Sequence, residues 1–249
     1  MKTFLSACAV ASAVCVPAFA AASPDFEREY AIFSSHSYTP AQGAPTGLIT
    51  QIGGDTDTRS QTVGLWLDLN ATFANNTYNL FSATTGAVGN LSGFAFSLVK
   101  ADSGFSLQYQ YGVGANRLLT ANIGADLLTG GSTKIVLVTE KSASARTAAL
   151  SLYVNDTLVS WSGTGCAAGN QNTAQAYTNS TAPYINTNFN GYGLSSMTIG
   201  ANGLPLSFAK VYTNALSEAD VTAMIPEPAT ATLSMFGLAA LALRRRRKD

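Results

Sequence analysis

The chain has 249 residues, a formal net charge of zero and only 11% charged side chains, a length that suits one domain with a sizeable core. The zero conceals an uneven spread: residues 21–225 hold 8 Lys/Arg against 12 Asp/Glu, while five positive charges crowd into Arg244–Lys248. A mildly acidic, charge-poor middle argues against a nucleic-acid partner.

The N-terminus reads MKTFLSACAVASAVCVPAFA: Lys2, a small and apolar run from Phe4 to Val16, then Ala18-Phe19-Ala20. A basic start, an apolar stretch and an A-x-A site make residues 1–20 a secretory signal peptide, cut after Ala20. Cys8 and Cys15 leave with it, and Cys166 remains alone. The exported domain then has no internal disulfide, and its stability must come from its core. Cys166 reads as a small loop residue.

His36 is the sole histidine and reads as an exposed loop residue. Serines flank it, but no G-x-S-x-G elbow accompanies them. In GGDTDTRS, Asp55 and Asp57 stand two apart in a Gly/Thr loop. Such a loop can offer carboxylate and backbone oxygens to calcium. Two carboxylates without EF-hand spacing favour a solvated turn over that metal site.

Period-2 alternation then recurs. TVGLWLDL puts Val63, Leu65, Leu67 and Leu69 on one face. GFAFSLVK groups Phe94, Phe96 and Leu98, and GFSLQYQY alternates Phe105, Leu107, Tyr109 and Tyr111 with Ser106, Gln108 and Gln110. KIVLVTE is apolar on both faces, as in a central strand. ALSLYVNDTLVSW predicts a hairpin: Leu150, Leu152 and Val154 on one strand, a turn at Asn155-Asp156, and Leu158 to Trp161 returning. Trp66 and Trp161 are expected in the core or an interface. SMTIGA and LSFAKVYT read as two further strands. In LSEADVTAMI, Ser217 caps a short helix, Asp220 completes a capping box, and Leu216 and Val221 form a staple. Many short strands between turn residues predict an all-β antiparallel sandwich or jelly roll, with apolar helical segments at both ends of the chain.

Residues 163–193, GTGCAAGNQNTAQAYTNSTAPYINTNFNGYG, look too long for a simple connection. They are rich in amides and hydroxyls and carry Tyr177, Tyr184, Phe189 and Tyr192. Aromatic faces and amide or hydroxyl groups together suit carbohydrate, so these four are the candidate sugar-binding residues. The alternative is an insertion whose aromatics pin it to the sandwich.

The chain closes with IPEPATATLSMFGLAALALRRRRKD. Ala229–Leu243 is an uncharged run of 15 residues, roughly 22 Å as a helix against a hydrocarbon core of roughly 30 Å, hence a marginal span. Arg244–Lys248 would stay on the cytoplasmic side. Pro226 and Pro228 stop any preceding helix and leave an extended strip for a protease.

Pro226-Glu227-Pro228, the Ala/Leu-rich segment and Arg244, Arg245, Arg246 and Arg247 together resemble the PEP-CTERM sorting signal of Gram-negative bacteria. That resemblance implies transient inner-membrane anchoring, an exosortase-type membrane protease as partner, and delivery to the cell surface or an exopolysaccharide (biofilm) matrix. A second resemblance covers roughly residues 26–225. GLWLDL, KIVLVTE, Leu152-Tyr153-Val154-Asn155, MTIGANG and Asn214-Ala215-Leu216-Ser217-Glu218 follow the order of a LamG-like domain, a concanavalin A-like jelly roll. Asp156 stands where that family usually has glycine. Such domains often bind carbohydrate and often hold calcium at a rim.

The same fold class includes glycoside hydrolases with carboxylates spaced Glu-x-Asp-x-x-Glu on one strand. That spacing is missing, and Asp68 and Glu140 are single carboxylates at strand ends. The expected organisation is a signal peptide (1–20), a LamG-like sandwich (21–225) and a sorting signal (226–249). The expected role is a non-enzymatic exported protein that binds carbohydrate or another surface component. The alternatives are a structural coat or matrix protein without a small ligand and, less favoured, a glycan-processing enzyme.

Overall fold

The computed structural model describes residues 24, 26–29, 36–38, 60–84, 93–111, 117–128, 131–141, 147–166, 174–186 and 196–224. Residues 1–20, expected to be a signal peptide, lie outside them, as do Asp55, Asp57, Phe189, Tyr192 and everything from Ile225 onward, so the expected terminal helical segments do too.

The described strands are β1 (Phe26–Glu29), β2 (His36–Tyr38), β3 (Gln61–Leu67), β4 (Asn76–Thr84), β5 (Gly93–Ala101), β6 (Gly104–Tyr111), β7 (Leu118–Ile123), β8 (Thr133–Lys141), β9 (Thr147–Val154), β10 (Thr157–Val159), β11 (Trp161–Cys166), β12 (Ala174–Ser180), β13 (Tyr184–Asn186), β14 (Ser196–Ile199) and β15 (Leu206–Tyr212). One helix, α1 (Glu218–Ala223), follows them. The first sheet runs β1-β15-β3-β8-β9-β10, with β13 also paired to β9; the second runs β12-β11-β7-β6-β5-β4-β14-β2. Every pairing is antiparallel. The chain is an antiparallel β-sandwich, as the alternation predicts.

The main core lies between the sheets. Val63, Leu65 and Leu67 of β3 and Leu150, Leu152 and Val154 of β9 face Phe81, Phe94, Phe96, Tyr109 and Tyr111 of the second sheet within one buried cluster. Phe81, Phe94, Tyr109 and Tyr111 form a continuous run with ring centroids 5.4, 5.4 and 5.9 Å apart. Burying each such ring contributes about 1.5–3 kcal/mol. Trp161 is fully buried in the same cluster.

A smaller cluster sits on the other face of the first sheet. Trp66, Val136, Val138, Phe208 and Tyr212 are covered there by Leu216, Val221 and Met224. This second layer explains why β3 is buried along both faces, although its alternation advertises only one. Ser217 accepts from the Asp220 amide and Asp220 reaches back to Ser217, the capping box expected from the sequence. Thr62 Oγ1 fastens the approach to α1, donating to Asn214 O (2.9 Å) and accepting from Leu216 N (3.0 Å).

The Asn155-Asp156 turn also forms. Both residues are left-handed, with φ of 45° and 68°, as a two-residue hairpin turn of the right twist requires. The returning strand differs from expectation. β10 stops at Val159, and Trp161 begins β11 in the opposite sheet. The larger correction concerns residues 163–193, which are no long loop in their described part. They contribute the end of β11, all of β12 and all of β13, and they close one side of the sandwich by crossing between sheets. The edge strand β12, made of Ala, Gln, Tyr, Thr, Asn and Ser, has no apolar stripe to announce it. Gly163 marks the register shift between β11 and β12 with φ of 120°, a conformation that favours glycine. His36 opens β2 and Cys166 ends β11, so both stand on strands and not in loops.

Candidate functional site

The two sheets present different outer surfaces. The first is capped by α1. The second displays a polar face built by register. Asn79, Ser97, Gln108, Thr120 and Ser162 are successive cross-strand partners on β4, β5, β6, β7 and β11. At about 4.8 Å per strand this row is about 19 Å long. Two parallel rows flank it: Thr77, Val99, Ser106 and Asn122 on one side, and Ser82, Ala95, Gln110 and Leu118 on the other. All of these side chains are half-buried or exposed, while their chain neighbours Tyr78, Leu98, Leu107, Tyr109 and Leu119 are buried beneath them. None of the three rows contains a charged residue. Ser162 Oγ donates to Thr120 O at 3.2 Å, which ties the β11 end of the middle row to its neighbour.

Amides and hydroxyls at strand spacing give alternating donors and acceptors without a fixed charge. Such a surface can hydrogen-bond a neutral polyhydroxylated ligand; it has no basic fork for a carboxylate or phosphate. The middle row was only partly visible in sequence. Gln108 shows in the alternation of β6, but nothing in a single strand says that Asn79, Ser97, Thr120 and Ser162 stand beside it.

The structure describes two of the four aromatic candidates and leaves two outside the described residues. Tyr177 on β12 is half-buried and packs on the main core. Tyr184 on β13 is 37% exposed. The Tyr177 ring and the Tyr184 backbone both flank Gly165, where an added Cβ would lie 2.7 Å from Tyr177 Cε2 and 2.8 Å from the Tyr184 carbonyl oxygen. Tyr177 therefore spends part of its ring on packing, and Tyr184 has the more accessible face. Phe189 and Tyr192 lie outside the described residues.

No group of three or more His, Cys, Asp or Glu side chains stands close enough to hold a metal among the described residues; Asp55 and Asp57 fall outside them. Asp68 Oδ1 accepts from Asn70 N at 3.1 Å and closes a turn. Glu140 is exposed on β8. Burial pushes the Tyr109 phenol well above the usual tyrosine range, with Tyr111 adding to the effect. Burial and then the Glu218 charge raise that of Tyr153. Tyr109 points into the core, away from the polar rows.

A third feature sits at the C-terminal end of α1. Lys134 on β8 is buried, and its Nζ donates to Val221 O at 2.8 Å and to Met224 O at 3.1 Å. Asp156 pairs with the same Nζ at 2.5 Å. Asn155 Oδ1 accepts from Lys134 N at 2.8 Å, so the hairpin turn holds the lysine's backbone as well. A cation thus meets the carbonyl end of α1, as the helix dipole favours, although α1 has no basic residue in its own last turn.

Residues 225–248 match the PEP-CTERM protein-sorting motif, beginning one residue after Met224, and the resemblance read from the tail holds. No curated protein matches the sequence. Among solved structures the chain is similar to the CBM40 domain of the Ruminococcus gnavus IT-sialidase, with TM-score 0.52 and 10% identity, over 81% of this chain and 98% of that one. The same domain bound to α2,3-sialyllactose gives TM-score 0.51 and 12% identity over the same shares. At these identities the likeness concerns the fold, and the fold is a concanavalin A-like jelly roll. No described helix is long and apolar enough to cross a membrane; Ala229–Leu243 lies outside the described residues.

Proposed function

We propose that this is an exported surface or matrix protein, sorted through its C-terminal motif by an exosortase-type protease, whose sandwich binds carbohydrate without catalysing its breakdown. The observation that carries the delivery half is the sorting motif at residues 225–248, which starts one residue after Met224. The observation that favours carbohydrate is the uncharged amide and hydroxyl face of the second sheet, with Tyr184 exposed at the sandwich edge. A domain of the same fold holds sialyllactose, which supports a glycan as the ligand class. The absence of a basic side chain from the three rows favours a neutral glycan here over a sialylated one. Tyr177, Phe189 and Tyr192 remain candidates beside Tyr184, and Asp55 and Asp57 remain the candidate calcium ligands.

The delivery half is tested in the producing cells by fractionation and by the intact mass of the mature protein. The expected product is at the surface or in the matrix and lacks the arginine-rich end. A chain still ending at Asp249 and confined to the inner membrane would overturn it. A structural coat protein is the second reading, favoured by the same tail and separated from the first by whether any glycan binds.

A further inference from the structure

The β12 edge of the second sheet adds a feature to the polar face. On β11 only Ser162 stands between the paired positions Trp161 and Gly163, while on β12 both Thr178 and Asn179 stand between their partners Ser180 and Tyr177. Two residues oppose one, which is a β-bulge, and Ser162 is the β11 member of the middle row. Both bulge residues are exposed. Asn179 holds φ of 54°, a left-handed conformation that asparagine tolerates better than most side chains and that glycine adopts freely. A bulge of this kind re-aims a side chain at a sheet edge. With it the middle row covers six strands, from Asn79 on β4 to Thr178 and Asn179 on β12, a length of about 24 Å.

The three rows carry no charge, and none of their side chains is larger than Gln or Leu. The rows therefore raise no wall around a single sugar, which would keep much of its surface in water, unlike a ligand in a concave pocket. Binding strength on such a face has to accumulate along an extended ligand. An extended, equatorially linked hexose chain advances by about one strand spacing per ring, so the row matches about five sugars. Val99 and Leu118 flank the row on opposite sides and offer apolar contact to the C–H faces of the rings.

We propose that the outer face of the second sheet binds an internal stretch of a linear, neutral polysaccharide laid along the middle row, across the strands, with Asn179 as the contact for the sugar at the β12 edge. This rests on the carbohydrate reading above and narrows it from a glycan in general to a chain recognised along its length and not at its end.

The mature protein is titrated with oligosaccharides of cellulose and of β-mannan, graded from monosaccharide to heptasaccharide, and with the intact polymers. Affinity for one series should climb with each added sugar and level off at about five. Chemically blocking the non-reducing end should leave it unchanged. Asn179→Gly removes the amide and suits the left-handed backbone, so the variant should be at least as stable as wild type. It should still bind the pentasaccharide roughly fivefold more weakly, the loss of one hydrogen bond, and bind the disaccharide as wild type does. Gln108→Ala, in the centre of the row, should weaken the pentasaccharide by a similar factor. A monosaccharide that binds as tightly as the heptasaccharide, binding abolished by the end block, or full pentasaccharide affinity in Asn179→Gly would overturn the proposal and leave glycan binding standing. Self-association through this face, broken by Gln108→Ala and unaffected by any oligosaccharide, would also overturn it. If wild type binds no oligosaccharide and no polymer, the carbohydrate reading fails first and this narrower one falls with it.

Discussion

Asp156→Gly sets two effects of one residue against each other. Asp156 sits at φ 68° in the β9–β10 turn, where glycine would relieve a left-handed strain of about 1 kcal/mol. It also pairs with Lys134, whose side chain is 10% exposed against 44% for the aspartate. A hydrogen bond to a charged group contributes about 1.5–3 kcal/mol, and water around the half-open carboxylate keeps this pair at the low end. The net expectation is a loss of about 0.5–1 kcal/mol in the wild-type background. With Lys134 already replaced by Met the pair is gone and only the turn effect remains, so the same substitution should stabilise by about 1 kcal/mol. Urea denaturation followed by tryptophan fluorescence reads both backgrounds, with the m-value checked for constancy. The reversal of sign is the decisive feature. If Asp156→Gly stabilises both backgrounds equally, Asp156 and Lys134 are uncoupled and the clamp has no electrostatic partner in the turn.

Ser217→Ala removes the capping box of α1 and should cost about 1 kcal/mol, visible as a lower urea midpoint with faster proteolysis near the helix. Trp161 is fully buried and its Nε1 has no hydrogen-bond partner among the described residues. Trp161→Phe discards that unpaired donor and should cost clearly less than Trp161→Ala, for which about 3–5 kcal/mol is expected; equal losses would show that the indole nitrogen is satisfied in solution. The raised Tyr109 phenol makes the folded state hold its proton longer than the unfolded chain does. Its stabilising effect is therefore whole below the ordinary tyrosine value of about 10 and is lost as pH rises through the folded value. Stability measured in alkaline buffer should fall above that point and should fall less in Tyr109→Phe, provided the variant folds.

Much of the fold was legible where one face of a strand is apolar. β3, β5, β6, β8 and β9 show it in their alternation or their continuous apolar run, and the Asn155-Asp156 turn and the Ser217 cap carry their own local chemistry. β4 was missed because a register shift between Asn79 and Phe81 breaks its period. β12 and β13 were read as a loop because their polar composition belongs equally to an edge strand and to a connection. The polar face was half legible: Gln108 marks an outward position, but its partners are decided by register between strands far apart in sequence. The Lys134 clamp left no local sign, since the acceptors lie 87 and 90 residues away. A lysine at the head of an apolar strand looks like a solvated end until the helix that covers it is in place.

The most direct measurement is binding of the mature protein, purified from the producing cells, to a panel of neutral and sialylated polysaccharides that includes the cells' own polymer, with calcium and with chelator. Wild type is compared with Tyr184→Ala and with the Gln108→Ala/Thr120→Ala double variant. Saturable binding to a neutral polymer is expected, weakened tenfold or more by the double variant, because two hydrogen-bonding side chains at about 1 kcal/mol each leave the middle row. An absence of binding to every polymer in both conditions, with the protein folded and at the surface, would contradict a glycan-binding role and leave the sandwich as a structural module carried by its sorting tail.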